Sequence, residues 1–273
     1  MSRFSQARLV RLAGDLSPRR WEVVLAVEEM RLVSAEQLRR RFYGSGPSAA
    51  RLARLDLAAL HEANILHRLS RRIGGLHAGS SGFIYSLGSV GHRLLELRAG
   101  EGAARQPSRY EPSLGFVDHA LAVSELWVSL HEHLHLGLTA ERGARFDFRV
   151  ERRAWRSFMD TTGAALLLKP DAELRLHRQG FEDRWWVEVD RATERRSTIR
   201  RKLLAYVAYA RTGIEQERAG LFPLTAWLTV DEARAEVLRE VIAELAPSGQ
   251  RLFRVGLLSA ASPLLLSHGR TEP

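Results

Sequence analysis

The amino-acid sequence predicts an α+β protein built from two domains. Two observations support this prediction: helical and strand patterns both occur along the 273 residues, and the charge is unevenly distributed. Residues 1–110 contain 18 basic and 9 acidic side chains, whereas residues 111–273 contain 23 of each. Residues 99–115, which are rich in Gly, Pro and Ser, have the composition of a linker. We therefore expect one domain at residues 1–98 and a second at 116–273.

The composition is that of a globular protein, with 45% hydrophobic and 27% charged residues. The absence of Cys excludes disulfides, thiolate zinc sites and cysteine nucleophiles. No apolar run reaches the roughly 18 residues that a membrane-spanning helix needs, and the first residues lack the pattern of a signal peptide. We therefore expect a cytoplasmic protein without a membrane partner. The phosphate-binding loop, the dinucleotide fingerprint and the G-x-S-x-G elbow are also missing from the sequence.

In the first domain, the pattern predicts three helices, a hairpin and a short closing helix. Ser17 is a suitable N-cap, and Pro18 suits the first helical position after it. Ser34 followed three residues later by Gln37 predicts a capping box at the start of the second helix. The predicted helices cover residues 17–30, 34–42, 47–63 and 91–97, and the predicted strands cover 65–73 and 83–87.

The third predicted helix presents an apolar side and a polar side. Its expected core stripe consists of Leu52, Leu55, Ala59 and Leu60. Three helices followed by a hairpin with a long Gly-rich tip resemble a winged helix-turn-helix domain over residues 17–98. The resemblance implies that the third helix enters the major groove of double-stranded DNA while the hairpin touches the DNA backbone or the minor groove. The candidate DNA-binding residues are Ser48, Arg51, Arg54, Arg68, Arg71, Arg72 and His77. Winged helices also serve as protein-docking modules, and this alternative stays open.

The second domain is predicted to be a layered α/β structure with helices on both faces of a sheet. The predicted helices cover residues 116–135, 196–211 and 231–245, and the predicted strands cover 145–150, 166–176, 185–189, 224–230 and 251–258.

Three carboxylates of this domain form a candidate metal site. Alternation along a strand places Glu188 and Asp190 on one face, and Asp171 on the neighbouring strand can join them. An oxygen-rich site of this kind suits Mg²⁺ or Mn²⁺. Such a cation can activate water and stabilise phosphate charge in phosphodiester hydrolysis. The structural alternative is a strand whose carboxylates form ion pairs with nearby arginines, for which the candidates are Arg195, Arg196 and Arg200.

The Pro170-Asp171 and Glu188-x-Asp190 motifs, in this order of helices and strands, resemble the PD-(D/E)xK nuclease superfamily. More narrowly, residues 17–260 resemble the replication-relaxation family of bacterial plasmids and mobile elements. The matching stretches are 116–123, 169–172, 187–194 and 201–206. The family resemblance implies a winged helix joined to a nuclease-like domain, and a function in replication, relaxation or transfer of the element, with metal-dependent nicking of DNA as the candidate activity.

The resemblance to the nuclease superfamily also implies the site residues. The candidate catalytic residues are Asp171, Glu188, Asp190 and Lys202, and Glu125 matches a helix position that often supplies a further metal ligand. The superfamily usually has Lys at the position of Asp190. Lys202, one turn into the following helix, would have to replace that amine.

Two other functions compete with this interpretation. A non-catalytic transcription or copy-number regulator would keep the nuclease fold without its activity. A zinc hydrolase would use His131-Glu132-x-x-His135, because this spacing places two His on one face of a helix with Glu as a general base. The oligomeric state is left open, and a homodimer is one alternative.

Overall fold

A computed structural model of the chain describes residues 6–72, 82–99, 112–135, 144–160, 163–178 and 180–267. The protein is of the α+β class, with helices, a mixed sheet and smaller antiparallel sheets. It divides into two compact units, Met1–Val128 and Ser129–Pro273. Within the described residues, no helix is both long and apolar enough to cross a membrane.

The N-terminal unit contains five helices and a three-stranded antiparallel sheet of order β1-β3-β2. Its helices are α1 (Gln6–Asp15), α2 (Pro18–Met30), α3 (Ala35–Phe42), α4 (Pro47–Glu62) and α5 (Ser89–Ala99). Its strands are β1 (Val33–Ser34), β2 (Leu66–Arg72) and β3 (Phe83–Leu87). A further helix, α6 (Leu114–His135), also begins in this unit. The helices and strands that the sequence predicts over residues 17–98 are therefore present, with ends that differ by one or two residues, whereas α1 and β1 were not predicted.

Local side chains determine where the first helices begin. The hydroxyl of Ser17 accepts a hydrogen bond of 3.4 Å from the backbone N–H of Arg20 at the start of α2. Ser34 and Gln37 form both bonds of the predicted capping box: the Gln37 N–H donates to Ser34 Oγ over 3.1 Å, and the Ser34 N–H donates to Gln37 Oε1 over 2.9 Å. Donors at the helix start are thereby satisfied within three residues.

The predicted core stripe of α4 is wrong at Leu52 and Leu55, whereas Leu60 is buried as predicted. The buried residues of this helix are Ala53, Asp56, Leu57 and Leu60, whereas Leu52 and Leu55 are 41% and 58% exposed. The buried charge explains the difference. Asp56 Oδ1 accepts hydrogen bonds from the Arg20 guanidinium over 2.8 and 2.9 Å, and Asp56 Oδ2 accepts one from the Tyr43 hydroxyl over 3.1 Å. A prediction from the apolar pattern places every carboxylate on the solvent side. The predicted core side of α4 is therefore rotated about the helix axis relative to the observed one.

The second unit contains a five-stranded mixed sheet of order β10-β9-β8-β7-β4. Strands β8, β9 and β10 are parallel, and β4, β7 and β8 are antiparallel. The strands are β4 (Arg145–Val150), β5 (Arg156–Met159), β6 (Ala165–Leu168), β7 (Ala172–Arg178), β8 (Phe181–Asp190), β9 (Leu224–Thr229) and β10 (Phe253–Leu257). The helices are α7 (Arg196–Thr212), α8 (Ile214–Ala219), α9 (Glu232–Ala243), α10 (Pro247–Gln250) and α11 (Ala261–Ser267), with 3₁₀ turns at Glu151–Arg153 and Leu258–Ala260.

Helices lie on both faces of this sheet, as the sequence predicts. On one face, Trp186 and Trp227 pack in a core cluster with Tyr206 of α7 and Leu238 of α9. On the other face, α11 approaches β10 so closely that a Cβ atom on Gly256 would lie 2.7 Å from Leu264. The central strand β8 is therefore covered by α7, and this contact positions the candidate site.

Two expectations for the second half need correction or stay open. The predicted strand 166–176 is two strands, β6 and β7, in different sheets, since Pro170 lies between them and has no N–H to donate to a ladder. The predicted linker, residues 99–115, lies largely outside the described residues. The start of α6 packs Val117 and Leu121 against the N-terminal core, and the boundary between the two compact units falls after Val128. The proposed domain boundaries stay a prediction.

Candidate functional site

Asp171, immediately before β7, lies beside the segment of β8 that contains Glu188. Strands β7 and β8 pair antiparallel, with Ala172 opposite Val187. The Asp171 N–H donates to the Val187 carbonyl over 3.0 Å, and Asp171 Oδ2 accepts a hydrogen bond of 2.7 Å from the Val189 N–H. These two bonds hold the Asp171 carboxylate beside the strand segment that contains Glu188.

Glu188 is buried under α7, with only 2% of its surface exposed. Its Oε1 accepts a hydrogen bond of 2.7 Å from the Tyr206 hydroxyl, and its Oε2 lies 3.0 Å from Lys202 Nζ. Lys202 and Tyr206 are four residues apart and therefore share one face of the helix. The Lys202 amine also lies 2.7 Å from Glu194 Oε1, in the segment between β8 and α7. Tyr206 is not among the site residues that the sequence predicts, although its spacing of four residues from Lys202 indicates the shared face.

The electrostatics of this cluster are strongly perturbed. Burial raises the pKa of Glu188 to about 7, and the Asp171 charge acts in the same direction, while Lys202 and the Tyr206 hydrogen bond oppose the rise. Burial by itself lowers the pKa of Lys202, but the carboxylates of Glu188, Glu194 and Asp171 outweigh it and raise this pKa above its ordinary value. The amine is therefore cationic at neutral pH. Buried groups with shifted ionisation and a specific charge partner are typical of functional sites, although structural ion pairs show them too.

Asp190 belongs to a separate set of contacts. Its Oδ2 accepts from Arg234 Nε over 2.9 Å and lies 2.8 Å from Arg234 Nη2, and its Oδ1 accepts a bond of 2.8 Å from the Ala192 N–H. Strand alternation predicts the side of β8 on which Asp190 lies. It does not predict Arg234 as the partner, because Arg234 lies on α9, 44 residues further along the chain. Across the described ranges, no group of three or more His, Asp or Glu is arranged to hold a metal ion. Among the predicted site residues, Asp171, Glu188 and Lys202 lie close together, and Asp190 is paired with Arg234.

The arginines that sequence analysis offered as structural partners of these carboxylates have other contacts. Arg196 pairs with Glu240 and Glu244 at 2.5 and 3.3 Å, and Arg200 lies 3.6 Å from Glu244. Arg195 caps the backbone start of α7 and its side chain is exposed. The partners of Glu188 and Asp190 are therefore Lys202, Tyr206 and Arg234.

Glu125 lies in the N-terminal unit. Its Oε1 is 2.5 Å from Arg40 Nη1, and its Oε2 accepts a bond of 3.1 Å from the Gln37 amide. Gln37 also donates to the Leu121 carbonyl over 2.9 Å. These contacts hold α6 against α3 within that unit. They supply no support for Glu125 as a metal ligand, which stays a prediction.

The candidate DNA-binding residues lie on α4 and on the hairpin. Ser48, Arg51 and Arg54 are exposed on α4. Arg68 is exposed on β2, with its guanidinium 4.2 Å from the centre of the Phe83 ring. Arg71 and Arg72 are the last residues of β2. His77 lies outside the described residues.

The His131-Glu132-x-x-His135 motif lies at the end of α6. The rings of His131 and His135 stack with centroids 5.9 Å apart, and His131 packs on Phe146 at 4.5 Å. His133 Nδ1 lies 2.9 Å from the Ser129 carbonyl. No third ligand accompanies the pair in the part of the chain that the structure describes. His131 therefore packs the end of α6 on β4, and His133 bonds the backbone of its own helix.

The second unit is a mixed-sheet α/β layer with a buried carboxylate–lysine cluster at its central strand, in a protein whose first 110 residues are strongly basic. The sequence matches the family model described as replication-relaxation over residues 25–225, and the chain belongs to this family. Membership confirms the resemblance found in the sequence, and it indicates a role in the replication or relaxation of plasmids or mobile elements and an interaction with DNA. No curated protein and no solved structure gave a significant match to the chain.

Proposed function

We propose that the protein binds the double-stranded DNA of a plasmid or mobile element through a winged-helix arrangement of α4 and the β2–β3 hairpin. The observation that carries the proposal is the charge of the exposed side of α4. Arg51 and Arg54 are exposed there, whereas the acidic Asp56 of the same helix is buried and paired with Arg20. The exposed side therefore carries the positive charges of Arg51 and Arg54 and no carboxylate before Glu62 at the end of the helix, which suits the phosphates that line a DNA groove.

Arginine can contribute twice to such a complex. Its planar fork donates two hydrogen bonds, either to a phosphate or to the O6 and N7 acceptors of guanine in the major groove. Arg51 and Arg54 on α4 are our candidates for guanine contacts. Arg68, Arg71 and Arg72, in the hairpin strand β2, are our candidates for contacts with the DNA backbone.

Salt dependence of binding by the full chain tests this proposal. Each phosphate contact contributes about 0.9 to the slope of log affinity against log salt. The double variant Arg51→Ala/Arg54→Ala should weaken binding of the preferred duplex by about 1–3 kcal/mol for each guanine contact that is lost, and it should relax the preference for guanine. A matched control is Arg211→Ala/Arg218→Ala, which removes the same charge from exposed positions in the second unit. Equal losses in both double variants, or wild-type binding without salt dependence, would contradict a specific role of α4.

We further propose that the cluster of Asp171, Glu188 and Lys202 is a metal-dependent DNA-nicking site. Two carboxylates beside one strand form a donor set that fits Mg²⁺ or Mn²⁺, because these ions are commonly bound by one or two carboxylates together with water and substrate phosphate. Asp171 and Glu188 would hold the ion. When bound, it would supply an activated water and charge stabilisation at the phosphate.

Lys202 supports this proposal most directly. Its amine lies 3.0 Å from Glu188 Oε2 and is held by Glu194 as well. Asp190 lies at the position where the superfamily usually has Lys, and α7 brings an amine to Glu188 instead. In this arrangement Lys202 keeps a positive charge where a phosphate would develop negative charge, and it can orient the attacking water.

A non-catalytic regulator is the second candidate, and one observation favours it. Both oxygens of Glu188 already accept from side chains of the protein, Tyr206 and Lys202, so the carboxylate is satisfied without a metal. The cluster would then stabilise the fold, and the protein would act through DNA binding alone.

Nicking of supercoiled plasmid, measured together with Mn²⁺ binding, separates the two candidates. The nuclease proposal expects nicking by the wild type that requires the metal, and loss of both nicking and metal binding in Asp171→Asn. The conservative variant Glu232→Gln, at an exposed carboxylate of α9, is the control and should behave as wild type. Metal binding without nicking, or no metal binding in the wild type, would favour the regulator.

A further inference from the structure

Two leucines lie on the exposed side of α4 and contribute nothing to the core. Leu55 is the most exposed of all large apolar side chains on the helices α2 to α5, and Leu52 precedes it by one turn. The core side of the same helix is complete without them, because Ala53, Leu57 and Leu60 are buried. Packing within the unit therefore does not explain this exposed leucine pair.

The leucines share their side of the helix with the arginines of the proposed DNA contact. Arg51 and Leu55 are four residues apart, so they are neighbours along one side of α4, and Leu52 and Leu55 are three apart. The single acidic residue within the body of the helix, Asp56, is buried and paired with Arg20. The exposed side thus combines apolar area with positive charge, and the next carboxylate, Glu62, comes only at the last residue of the helix.

We infer that Leu55, supported by Leu52, reads thymine methyl groups in the major groove. This inference rests on the proposed DNA-binding function and adds the chemistry of the recognised sequence. The thymine C5-methyl is the apolar group that a base pair presents in the major groove, and guanine presents the two acceptors that an arginine fork matches. A helix side of alternating Arg and Leu therefore fits a site in which thymines lie next to guanines.

The charge favours DNA as the occupant of this side over a second protein. Residues 1–110 carry 18 basic against 9 acidic side chains, and two of the exposed basic side chains, Arg51 and Arg54, border the leucines. Docking of a second copy of the chain would bring these arginines together, and like charges in contact are unfavourable. Duplex DNA neutralises the arginines while its methyl groups cover the leucines.

Replacement of thymine by uracil tests the inference because it removes only the methyl group. The full chain is used to select a bound duplex from a randomised pool, and the selected duplex is then synthesised with either thymine or uracil at each position. We expect the wild type to bind the uracil form about fourfold more weakly for each methyl group that a leucine covers. The variant Leu55→Ala should bind the thymine form more weakly and lose most of this preference, and it keeps a good helix former at an exposed position.

The control is Leu25→Ala, which removes another exposed leucine, from α2, and should retain the full preference for thymine. Equal binding of both duplexes by the wild type would overturn the inference while DNA binding itself stands. Failure to select any duplex would overturn the proposed function instead. If Leu55→Ala changes the oligomeric state of the chain in sedimentation and leaves the thymine preference unchanged, the leucines bind protein and the inference is wrong.

Discussion

Arg51 and Arg54 on α4 of the N-terminal unit are exposed, whereas several charged side chains around the sheet of the second unit are paired at buried or partly buried positions. Arg156 lies 3.1 Å from both Glu173 and Glu215, Lys202 lies 3.0 Å from Glu188, and Arg234 lies 2.8 Å from Asp190. The second half of the chain has equal numbers of basic and acidic residues, so each buried cation can have a partner. The first half has twice as many basic as acidic residues, and its excess remains on the surface.

This comparison implies different consequences for the loss of a charge. Removal of an exposed arginine should change the free energy of unfolding of the DNA-free protein very little, because water solvates the side chain in both the folded and unfolded states. A buried partner that loses its counter-charge keeps a desolvated charge in the folded state. Loss of a buried charge partner in the second unit should therefore affect folding, and loss of an exposed arginine on α4 should affect binding.

The largest effect should come from the buried network around Arg156. Arg156, Glu173 and Glu215 are 6%, 1% and 1% exposed, so Arg156→Met leaves two carboxylates buried without their main partner. We expect a loss of about 3–5 kcal/mol in the free energy of unfolding, measured by urea denaturation. Arg51→Ala, at an exposed position, should change it by less than about 0.5 kcal/mol. Similar values for the two variants would remove the distinction between the units.

Lys202 should matter for chemistry if the cluster is catalytic. We expect Lys202→Met to lower the nicking rate by about 10²–10³-fold, the range seen when one preorganised donor to a developing charge is removed. Arg201→Met, at the exposed neighbouring position, is the control and should retain most of the rate. If the wild type nicks DNA and Lys202→Met nicks it at the same rate, Lys202 is not part of the nicking site.

The buried network should also make stability depend on pH. Burial favours the neutral form of Glu173, but Arg156 and Arg175 outweigh it, and its pKa in the folded protein lies below the usual value. The folded state therefore holds its proton less tightly than the unfolded chain, so the stabilisation is present above the ordinary pKa and disappears as the pH falls through the folded value. The free energy of unfolding is measured as the pH is lowered through the acidic range. It should fall less steeply for Glu173→Gln than for the wild type, and equal slopes for the two proteins would contradict this assignment.

The smallest effect expected is at the capping box of α3. Ser34→Ala removes the acceptor for the Gln37 N–H, and we expect a loss of about 1 kcal/mol in the free energy of unfolding. Ser34→Asp preserves an acceptor and should recover most of it, since Asp is also a favoured N-cap residue. A full loss in both variants would mean that burial of Ser34, and not its capping bond, is responsible.

The elements that the sequence predicted well are those whose signals are local. The capping box joins residues three apart, and β4 has the predicted bounds, 145–150, because short-range alternation and turn residues encode it. Strand alternation singled out Glu188 and Asp190, with Asp171 on the neighbouring strand, whereas the role of Lys202 follows from the resemblance to the nuclease superfamily. The functions of these residues stay predictions. The family resemblance that these motifs carry is likewise a property of the sequence alone, and the match over residues 25–225 confirms it.

Tertiary structure decided which charges are paired, because the partners are far apart in sequence. Arg20 and Asp56 are 36 residues apart, and their contact rotates α4 so that Leu52 and Leu55 face outward. Asp190 and Arg234 are 44 residues apart, so the sequence pattern does not indicate that Arg234 is the partner of the Asp190 carboxylate. A hydrophobic pattern treats every carboxylate as solvent-facing, whereas burial of a carboxylate depends on a counter-charge that only the folded chain brings near.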